Sequence, residues 1–369
     1  MSYEATAQAI KANAPKYLPG SIDHTVRNRF LLSYLQKAGR FMFNVGGRDC
    51  TWNVKIRQPD IRSTNGQRPQ FVNSDVYEQL TITHAQLEGT DTIDRNTMLV
   101  TKGETMIVDL TQEKLDNLVE SMADKMCSQI YIDNTTDTNQ YTGLQTFIKG
   151  SVGAGTDKMA VPTAGTTYGG KSMVLGAEGG SWSADLPAAS RFNSLATHQI
   201  DWPLGKGSSE FDYLASKMFN YAGDWSTGTN NWEVNCEKLI RRARSSINSL
   251  GGKGRAPTLH VFAQELYNQL QDSVQNRERL KPSDYAAKMG FPETLSYEGA
   301  LVEYDFDCPP DKGYAINPNE VSLYSVTDQL MYVDGPTWDT REQAYLFLVG
   351  TMGNFRFNPK CFASYEDFS

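Results

Sequence analysis

The feature that most constrains the fold of this chain is a stretch of helical periodicity over residues 109–132. Apolar side chains recur there at steps of three and four residues, the period of an amphipathic helix, and no glycine or proline interrupts them. Asp109 and Thr111 are both suitable N-caps at its start. The pattern predicts one helix roughly 30 Å long, about the diameter of a domain. Its apolar face consists of Leu115, Leu118, Val119, Met122, Met126 and Ile130.

An extended excursion of the chain precedes this helix. Residues 50–61 alternate between apolar and polar side chains, as a half-buried strand does. A polar stretch centred on Asn65-Gly66 follows, and the alternation resumes over residues 76–87. The pattern predicts a long two-stranded hairpin with too little apolar area to be stable alone. We therefore expect this hairpin to be an arm that lies on a neighbouring subunit.

The rest of the chain mixes helices and strands without a regular alternation. Residues 22–38 predict a short amphipathic helix before the hairpin, and Asn230 with Glu233 predicts a capping box later in the chain. From residue 294 onward the pattern turns to strands. This order fits an α+β fold better than a doubly wound sheet. The helices predicted after the long one cover residues 208–223, 231–250 and 263–275.

The charge of the chain is unevenly distributed. Residues 1–60 hold nine Lys or Arg and four Asp or Glu, a net charge of +5, which leaves −13 for the rest and −8 in total. A basic arm on an acidic body suits docking onto a neighbouring copy or onto nucleic acid, and a solvated mixture of charges explains it equally well. An acidic chain is not an ordinary sequence-specific DNA binder.

The sequence offers no constellation typical of an enzyme. The four histidines are far apart and form no metal-binding spacing, and no nucleophile elbow is present. The five scattered cysteines fit neither a zinc site nor a disulfide framework, so we expect buried, neutral thiols and no cofactor or metal. No apolar run approaches a membrane span and the N-terminus has no signal-peptide pattern, so we expect a cytoplasmic chain.

One motif does match a chemical pattern. Residues Gly165–Ser172 satisfy the P-loop pattern, in which backbone amides and a lysine hold phosphates. That mechanism needs a buried strand before the motif and a helix after it. Proline breaks the stretch before it, and glycines crowd the stretch after it. We interpret the match as a glycine-rich loop and keep P-loop nucleotide binding as the alternative from a different class of protein.

Two charged groups are interpreted as surface features. Arg241, Arg242 and Arg244 form a basic cluster beside the apolar face of a predicted helix. The cluster fits a solvated or inter-subunit salt-bridging face better than a phosphate contact. Asp305 and Asp307 lie on one side of a strand-like stretch, and we expect both at the surface.

In their order along the chain, these features resemble the major capsid proteins of tailed bacteriophages, which have the HK97-like fold. Residues 21–40 resemble the N-terminal arm, residues 50–105 the extended E-loop, and residues 109–132 the spine helix, with Gly143-Leu144 after it. Residues 235–280 resemble the helix–strand–helix of the A-domain. A Gly-Gly…Trp stretch common in these proteins also resembles Gly169-Gly170 with Trp182, which is a competing explanation of the P-loop match.

The resemblance implies an α+β fold with four parts and a structural, non-enzymatic function. Copies would form the hexamers and pentamers of an icosahedral head around double-stranded DNA, bound non-specifically. The E-loop would lie over a neighbour's P-domain, and the N-terminal arm would connect adjacent subunits. We expect no Lys–Asn cross-links, because Lys55 and Lys102 lie away from the hairpin tip. The implied parts are the N-terminal arm (1–49), the E-loop (50–105), the P-domain (106–196 and 331–369) and the A-domain (197–330).

The resemblance also implies partners and locations. We expect a virion capsid assembled in the host cytoplasm, without a membrane, with a separate scaffold protein and with portal and decoration proteins. An encapsulin-like shell around enzyme cargo shares the fold and stays open as an alternative. The residues expected at inter-subunit contacts are Trp52, Val54, Ile56, Asn65, Gly66, Arg27, Phe30 and Leu31. The residues expected to contact DNA or a neighbouring subunit by charge are Arg27, Arg29 and Arg40.

Overall fold

A computed structural model describes residues 30–55, 77–100, 104–135, 137, 139–152, 155, 157–173, 214, 216–251, 255–275, 281–282 and 295–368. Its helices are α1 (Phe30–Lys37), α2 (Arg95–Val100), α3 (Glu104–Gln129), α4 (Leu144–Phe147), α5 (Trp232–Gly251) and α6 (Gln264–Gln275). Short 3₁₀ turns cover Pro318–Glu320 and Pro359–Cys361. The strands are β1 (Phe41–Met42), β2 (Asp49–Lys55), β3 (Tyr77–Thr83), β4 (Ala85–Asp94), β5 (Gly150–Ser151), β6 (Val161–Pro162), β7 (Thr167–Tyr168), β8 (Lys171–Ser172), β9 (Lys217–Asn220), β10 (Leu259–Phe262), β11 (Lys281–Pro282), β12 (Leu295–Tyr297), β13 (Ala300–Tyr304), β14 (Gly313–Ile316), β15 (Val321–Ser325), β16 (Tyr332–Asp339), β17 (Ala344–Phe357) and β18 (Ala363–Glu366).

A five-stranded sheet is built around β17, the longest strand. One edge of β17 pairs with β4 over ten residues, and the other edge pairs with β16 and then β15, all antiparallel. β1 joins β15 in parallel at the margin of the sheet. The long helix α3 packs across β4, where Leu118 lies so close to Gly89 that a Cβ there would meet its side chain at 3.0 Å. The predicted long helix is thus confirmed, and in the structure it covers a sheet.

The bounds of α3 differ from the predicted 109–132. The helix starts at Glu104, so Asp109 and Thr111 lie inside it and neither is its N-cap. Nothing between Glu104 and Thr111 breaks a helix, and the first breaker upstream is Gly103. A suitable cap residue in the interior therefore does not start a helix when the residues before it also support one. At the other end, Tyr131 N donates to Ser128 O at 3.1 Å, a tightened turn that ends the helix.

The chain folds back closely at the end of α3. Leu144 N donates to Ile130 O at 2.7 Å. A Cβ at Gly143 would lie 2.4 Å from Ile132 O and 2.6 Å from Gln129 O, so only glycine fits this return. The Gly143-Leu144 pair of the sequence thus closes the turn that follows α3.

A seven-stranded sheet forms the second layer, in the order β11-β12-β13-β10-β14-β18-β9. Helices α5 and α6 pack on it and confirm the helices predicted over 231–250 and 263–275. Trp232 anchors α5, because its Nε1 donates to Leu266 O at 2.8 Å and its ring lies 5.2 Å from that of Phe262. The N-cap of α5 is Asn231, which accepts from Val234 N, and not the predicted Asn230.

The helix predicted over 208–223 is wrong where the structure describes it. Lys217–Asn220 is a fully buried strand that pairs in parallel with β18, near the end of the chain. A short apolar run does not distinguish a helix from a buried strand, and the partner that decides the matter lies about 145 residues away. The strand β16 has no continuous sequence pattern, because Gly335-Pro336 interrupts it at a bulge.

Asn354 connects three parts of the fold from within β17. Its side chain is buried, its Nδ2 donates to Thr83 O at 2.8 Å, and its Oδ1 accepts from Thr142 N at 2.7 Å. The sheet, the end of β3 and the segment after α3 therefore share one amide. Buried backbone groups that lose such a partner carry the full cost of desolvation.

We predict that Asn354→Ala lowers the free energy of unfolding by about 2–4 kcal/mol, because Thr83 O and Thr142 N are left without this partner. Urea unfolding of the unassembled chain measures the change. Asn117→Ala is the matched control, because Asn117 is exposed on α3 and alanine is the better helix former there. Equal losses in the two variants would contradict the assignment.

Candidate assembly surface

The base of the predicted hairpin has two different faces. β2 and β3 pair from Asp49↔Thr83 to Lys55↔Tyr77, and burial alternates along both strands. The predicted hairpin is therefore confirmed in its described part. Its inner face carries the buried and half-buried Cys50, Trp52, Val54, Glu78, Leu80 and Ile82. Its outer face carries the exposed Thr51, Asn53, Lys55, Tyr77, Gln79 and Thr81.

The inner face is covered by the chain itself. The Trp52 ring lies 6.2 Å from that of Tyr168, and the Arg356 guanidinium lies 5.2 Å above it. Val54 packs against the same core. Trp52 and Val54, which were expected to contact a neighbour, thus have their described contacts within their own chain. The alternation located the apolar face correctly, but it did not show which surface covers that face.

The outer face is the part of the hairpin base that remains for a partner. It is polar except for Tyr77, whose side chain is 64% exposed. Tyr77 was not among the predicted contact residues, although it is an aromatic residue on the polar side of an alternating strand. Aromatic side chains are enriched at the centres of protein interfaces.

The remaining predicted contact residues fall into two groups. Arg27, Arg29, Ile56, Asn65 and Gly66 lie outside the described residues. Phe30 and Leu31 lie in α1 and are only 2% and 1% exposed, within the core of their own chain. They therefore offer almost no surface to a neighbour in this conformation. Their burial confirms the apolar face predicted for the short helix and shows that this face packs on the chain's own body.

Arg40, the third predicted charge contact, lines a cavity of about 450 Å³ between α1 and the seven-stranded sheet. Its Nε is buried and has no hydrogen-bond partner within the described part of the chain. Tyr34, Thr258 and Asn319 also line this cavity. Arg40 is therefore a half-buried residue at the junction of two layers, and its contact with DNA or a neighbour stays a prediction.

Asp305 is buried, although it was expected at the surface. It follows β13 and is only 3% exposed. Its Oδ2 accepts from Leu31 N at 3.1 Å and from Tyr131 OH at 3.0 Å. One carboxyl group therefore joins α1, the end of α3 and the seven-stranded sheet. The sequence cannot show this position, because its partners lie 274 and 174 residues away.

Burial raises the pKa of Asp305 from its ordinary value of 3.8 to about 6, and the hydrogen bonds from Leu31 and Tyr131 oppose that shift. The folded chain therefore holds this proton more tightly than the unfolded chain. The resulting stabilisation is fully present below pH 3.8 and is lost as the pH rises through about 6.

We predict that the stability advantage of the natural chain over Asp305→Asn decreases by roughly 2 kcal/mol from about pH 4 to about pH 7, because asparagine does not titrate. Chemical unfolding of the unassembled chain at a series of pH values measures the difference. Asp116→Asn, on the exposed side of α3, should run parallel to the natural chain. A pH-independent difference for Asp305→Asn would contradict the prediction.

Two arginines of the basic cluster on α5 have described partners inside the chain. Arg241 pairs with Glu298 at 3.1 Å and with Glu237 at 3.3 Å. The Arg242 guanidinium lies 5.1 Å above the ring of Trp225. The Arg241 side chain is 56% exposed and its ion pairs lie within its own chain, so it is a surface residue as expected, and an inter-subunit salt bridge stays a prediction.

The motif Gly165–Ser172 is a β-hairpin. β7 and β8 pair directly, and the two glycines between them have φ of +60° and +80°, as in a type I′ turn. Lys171 forms an ion pair with Glu78 on β3. A P-loop needs a helix that starts at its Lys-Ser pair, whereas this pair lies in a strand. The P-loop alternative is therefore wrong, and the interpretation as a glycine-rich loop is confirmed.

Other chemistry is sparse in the described ranges. Over these residues, no group of three or more His, Cys, Asp and Glu side chains is arranged to hold a metal ion. All five cysteines are buried and free of disulfides, as expected, and burial raises the pKa of the Cys361 thiol to about 11. None of the described helices combines the length and the apolar character needed to cross a membrane.

Solved capsid structures share this architecture. The capsid protein of cyanophage A-1(L) is 12% identical, with 95% of this chain and 96% of that chain covered and a TM-score of 0.54. The capsid of a native GTA particle is 11% identical, with 95% and 93% covered and a TM-score of 0.52. The capsid of cyanophage P-SCSP1u is 12% identical, with 95% and 92% covered and a TM-score of 0.50.

No protein-family model matches the chain, and no curated protein matches it by sequence. The likeness to the capsids extends over nearly the whole length on both sides. The chain therefore has the HK97-like fold of tailed-phage major capsid proteins, and the predicted α+β fold class is confirmed.

Proposed function

We infer that this chain is the major capsid protein of a tailed bacteriophage. Copies assemble into the hexamers and pentamers of an icosahedral head that encloses double-stranded DNA. The observation that supports this most strongly is the shared fold, which covers 95% of the chain against each of three phage or phage-like capsids. No catalytic constellation competes with a structural role in the sequence.

The roles of the four parts of the subunit follow from the same proposal. Residues 1–49 act as the N-terminal arm and residues 50–105 as the E-loop. Residues 106–196 and 331–369 form the P-domain, and residues 197–330 form the A-domain. The outer face of the hairpin base, with Tyr77 at its end, supports a role for the E-loop as the part that lies on a neighbour.

The charge of the chain supports only non-specific contact with DNA. A net charge of −8 disfavours extensive phosphate contact, and Arg241 of the basic cluster on α5 is paired internally. The genome is then held mainly by confinement in the shell. The head is assembled in the host cytoplasm, where a separate scaffold protein, a portal and decoration proteins are the expected partners.

The first test is assembly. Purified full-length chain, alone and co-expressed with candidate scaffold proteins, is imaged by electron microscopy, and particles from infected cells are treated with nuclease before their contents are extracted. We expect closed shells and nuclease-protected double-stranded DNA. Shells filled with a folded enzyme instead would favour the encapsulin-like alternative, and a chain that forms no shell with any partner would contradict the proposal.

The second test removes the distal part of the hairpin. Lys55 and Tyr77 are cross-strand partners, so an Asn-Gly turn that replaces residues 56–76 closes the hairpin at that point. We expect a variant whose circular dichroism and urea midpoint match the natural chain, because the inner face of the base keeps its contacts. It should form no closed shells, because the part that reaches a neighbour is gone.

A single substitution with a matched control tests the outer face of the hairpin base alone. Tyr77→Ser alters only the outer face and should weaken assembly, whereas Val333→Ser, at an exposed valine on β16, removes apolar surface away from the hairpin. Normal shells from both the shortened variant and Tyr77→Ser would contradict a role for the hairpin in subunit contacts.

A further inference from the structure

A small turn lies between the body of the molecule and the base of the hairpin. We call residues 167–172 the clasp; they comprise β7, Gly169-Gly170 and β8. The P-loop pattern does not explain why this turn carries a lysine next to two glycines. The contacts of the clasp explain this composition. One residue of the clasp binds the body, and other residues bind the hairpin.

The clasp is fixed to the body through Tyr168. The buried Tyr168 hydroxyl donates to Phe357 O at 2.9 Å and accepts from Phe357 N at 2.7 Å. Its ring also lies 5.2 Å from that of Phe147. Tyr168 thus bonds both backbone groups of the last residue of β17, and β7 cannot rotate without breaking these bonds.

The clasp holds the hairpin through β3. Gly169 O accepts from Thr81 N at 3.2 Å, and Lys171 forms an ion pair with Glu78. A Cβ at Gly169 would lie only 2.9 Å from Leu80 Cβ, so the backbone of the turn packs directly against a buried hairpin side chain. These contacts on neighbouring positions of β3 fix its angle relative to the body.

We propose that the clasp sets the direction in which the hairpin leaves the body, and that this direction determines the geometry of the shell. The inference rests on the proposed function. If neighbouring subunits are joined through the hairpin, its angle fixes the rotation from one subunit to the next. In an assembly with closed symmetry, that rotation decides whether a shell closes and at what diameter.

The two glycines of the clasp provide a matched pair of variants. Both have φ in the left-handed region, so alanine strains the backbone at each of them. A Cβ at Gly169 meets Leu80, whereas a Cβ at Gly170 meets no atom within 4 Å. Gly169→Ala therefore displaces the hairpin, and Gly170→Ala imposes backbone strain alone.

The first measurement is hydrogen exchange of the β3 amides in unassembled full-length chain. We expect the Thr81 amide to exchange roughly tenfold faster in Gly169→Ala, because its bond to Gly169 O is lost, and to stay protected in Gly170→Ala. Equal exchange in the two variants would overturn the proposal without any reference to assembly.

The second measurement is the diameter distribution of particles by electron microscopy. Natural chain and Gly170→Ala should give closed shells of one diameter, and Gly169→Ala should give open sheets or shells of altered diameter. Faster exchange with unchanged shells would overturn the link between the clasp and shell geometry. If the natural chain formed no shells, either alone or with any candidate scaffold protein, the proposed function would fail, and the link to shell geometry with it.

A charge exchange tests the other contact of the clasp. Lys171→Glu and Glu78→Lys each place like charges together and should broaden the diameter distribution. The double variant restores an ion pair with reversed polarity and should recover shells of the natural diameter. Failure of the double variant to improve on either single variant would overturn the role of this pair in positioning the hairpin.

Discussion

The pairing of β17 on both of its edges is the constraint on which the rest of this structure depends. This single strand of fourteen residues bonds β4 along one edge and β15 and β16 along the other. Because β4 continues from the hairpin and leads into α2 and α3, β17 positions both the base of the hairpin and the helix that covers the sheet. The C-terminal part of the chain is thus tied to its first third by one ladder.

The parts of the fold that could be predicted are those whose pattern is local. α3, α5 and α6 carry an apolar period over twelve or more residues, so their type was clear before any partner was known. β9 was not predictable, because Lys217–Asn220 becomes a strand only beside β18. The faces of the hairpin were read correctly from alternation, but the surface that covers the inner face comes from the distant Tyr168 and Arg356.

Buried polar groups mark the junctions between the layers. Asp305 and Asn354 each bind backbone or hydroxyl groups from segments that are far apart in sequence. A core made only of apolar side chains would tolerate small rotations of one layer over another. A buried carboxyl or amide does not, because each displaced bond leaves an unpaired polar group. These residues therefore fix the angles between layers, which apolar packing alone leaves less defined.

The two faces of the hairpin base have different roles: the inner face stabilises the subunit, and the outer face is available for assembly in the proposed shell. Its inner face is buried against its own chain, so in the proposed shell the base of the hairpin is oriented before it meets a neighbour, and less conformational freedom is lost on contact. Its outer face is polar with one exposed tyrosine, so an isolated subunit exposes little apolar surface there. In the proposed shell each such contact is weak, and closure comes from repeating it at every symmetry-related position. Weak contacts of this kind also allow a misplaced subunit to leave. In the proposed shell, the fold therefore has to control the direction of the hairpin more than the strength of its contacts.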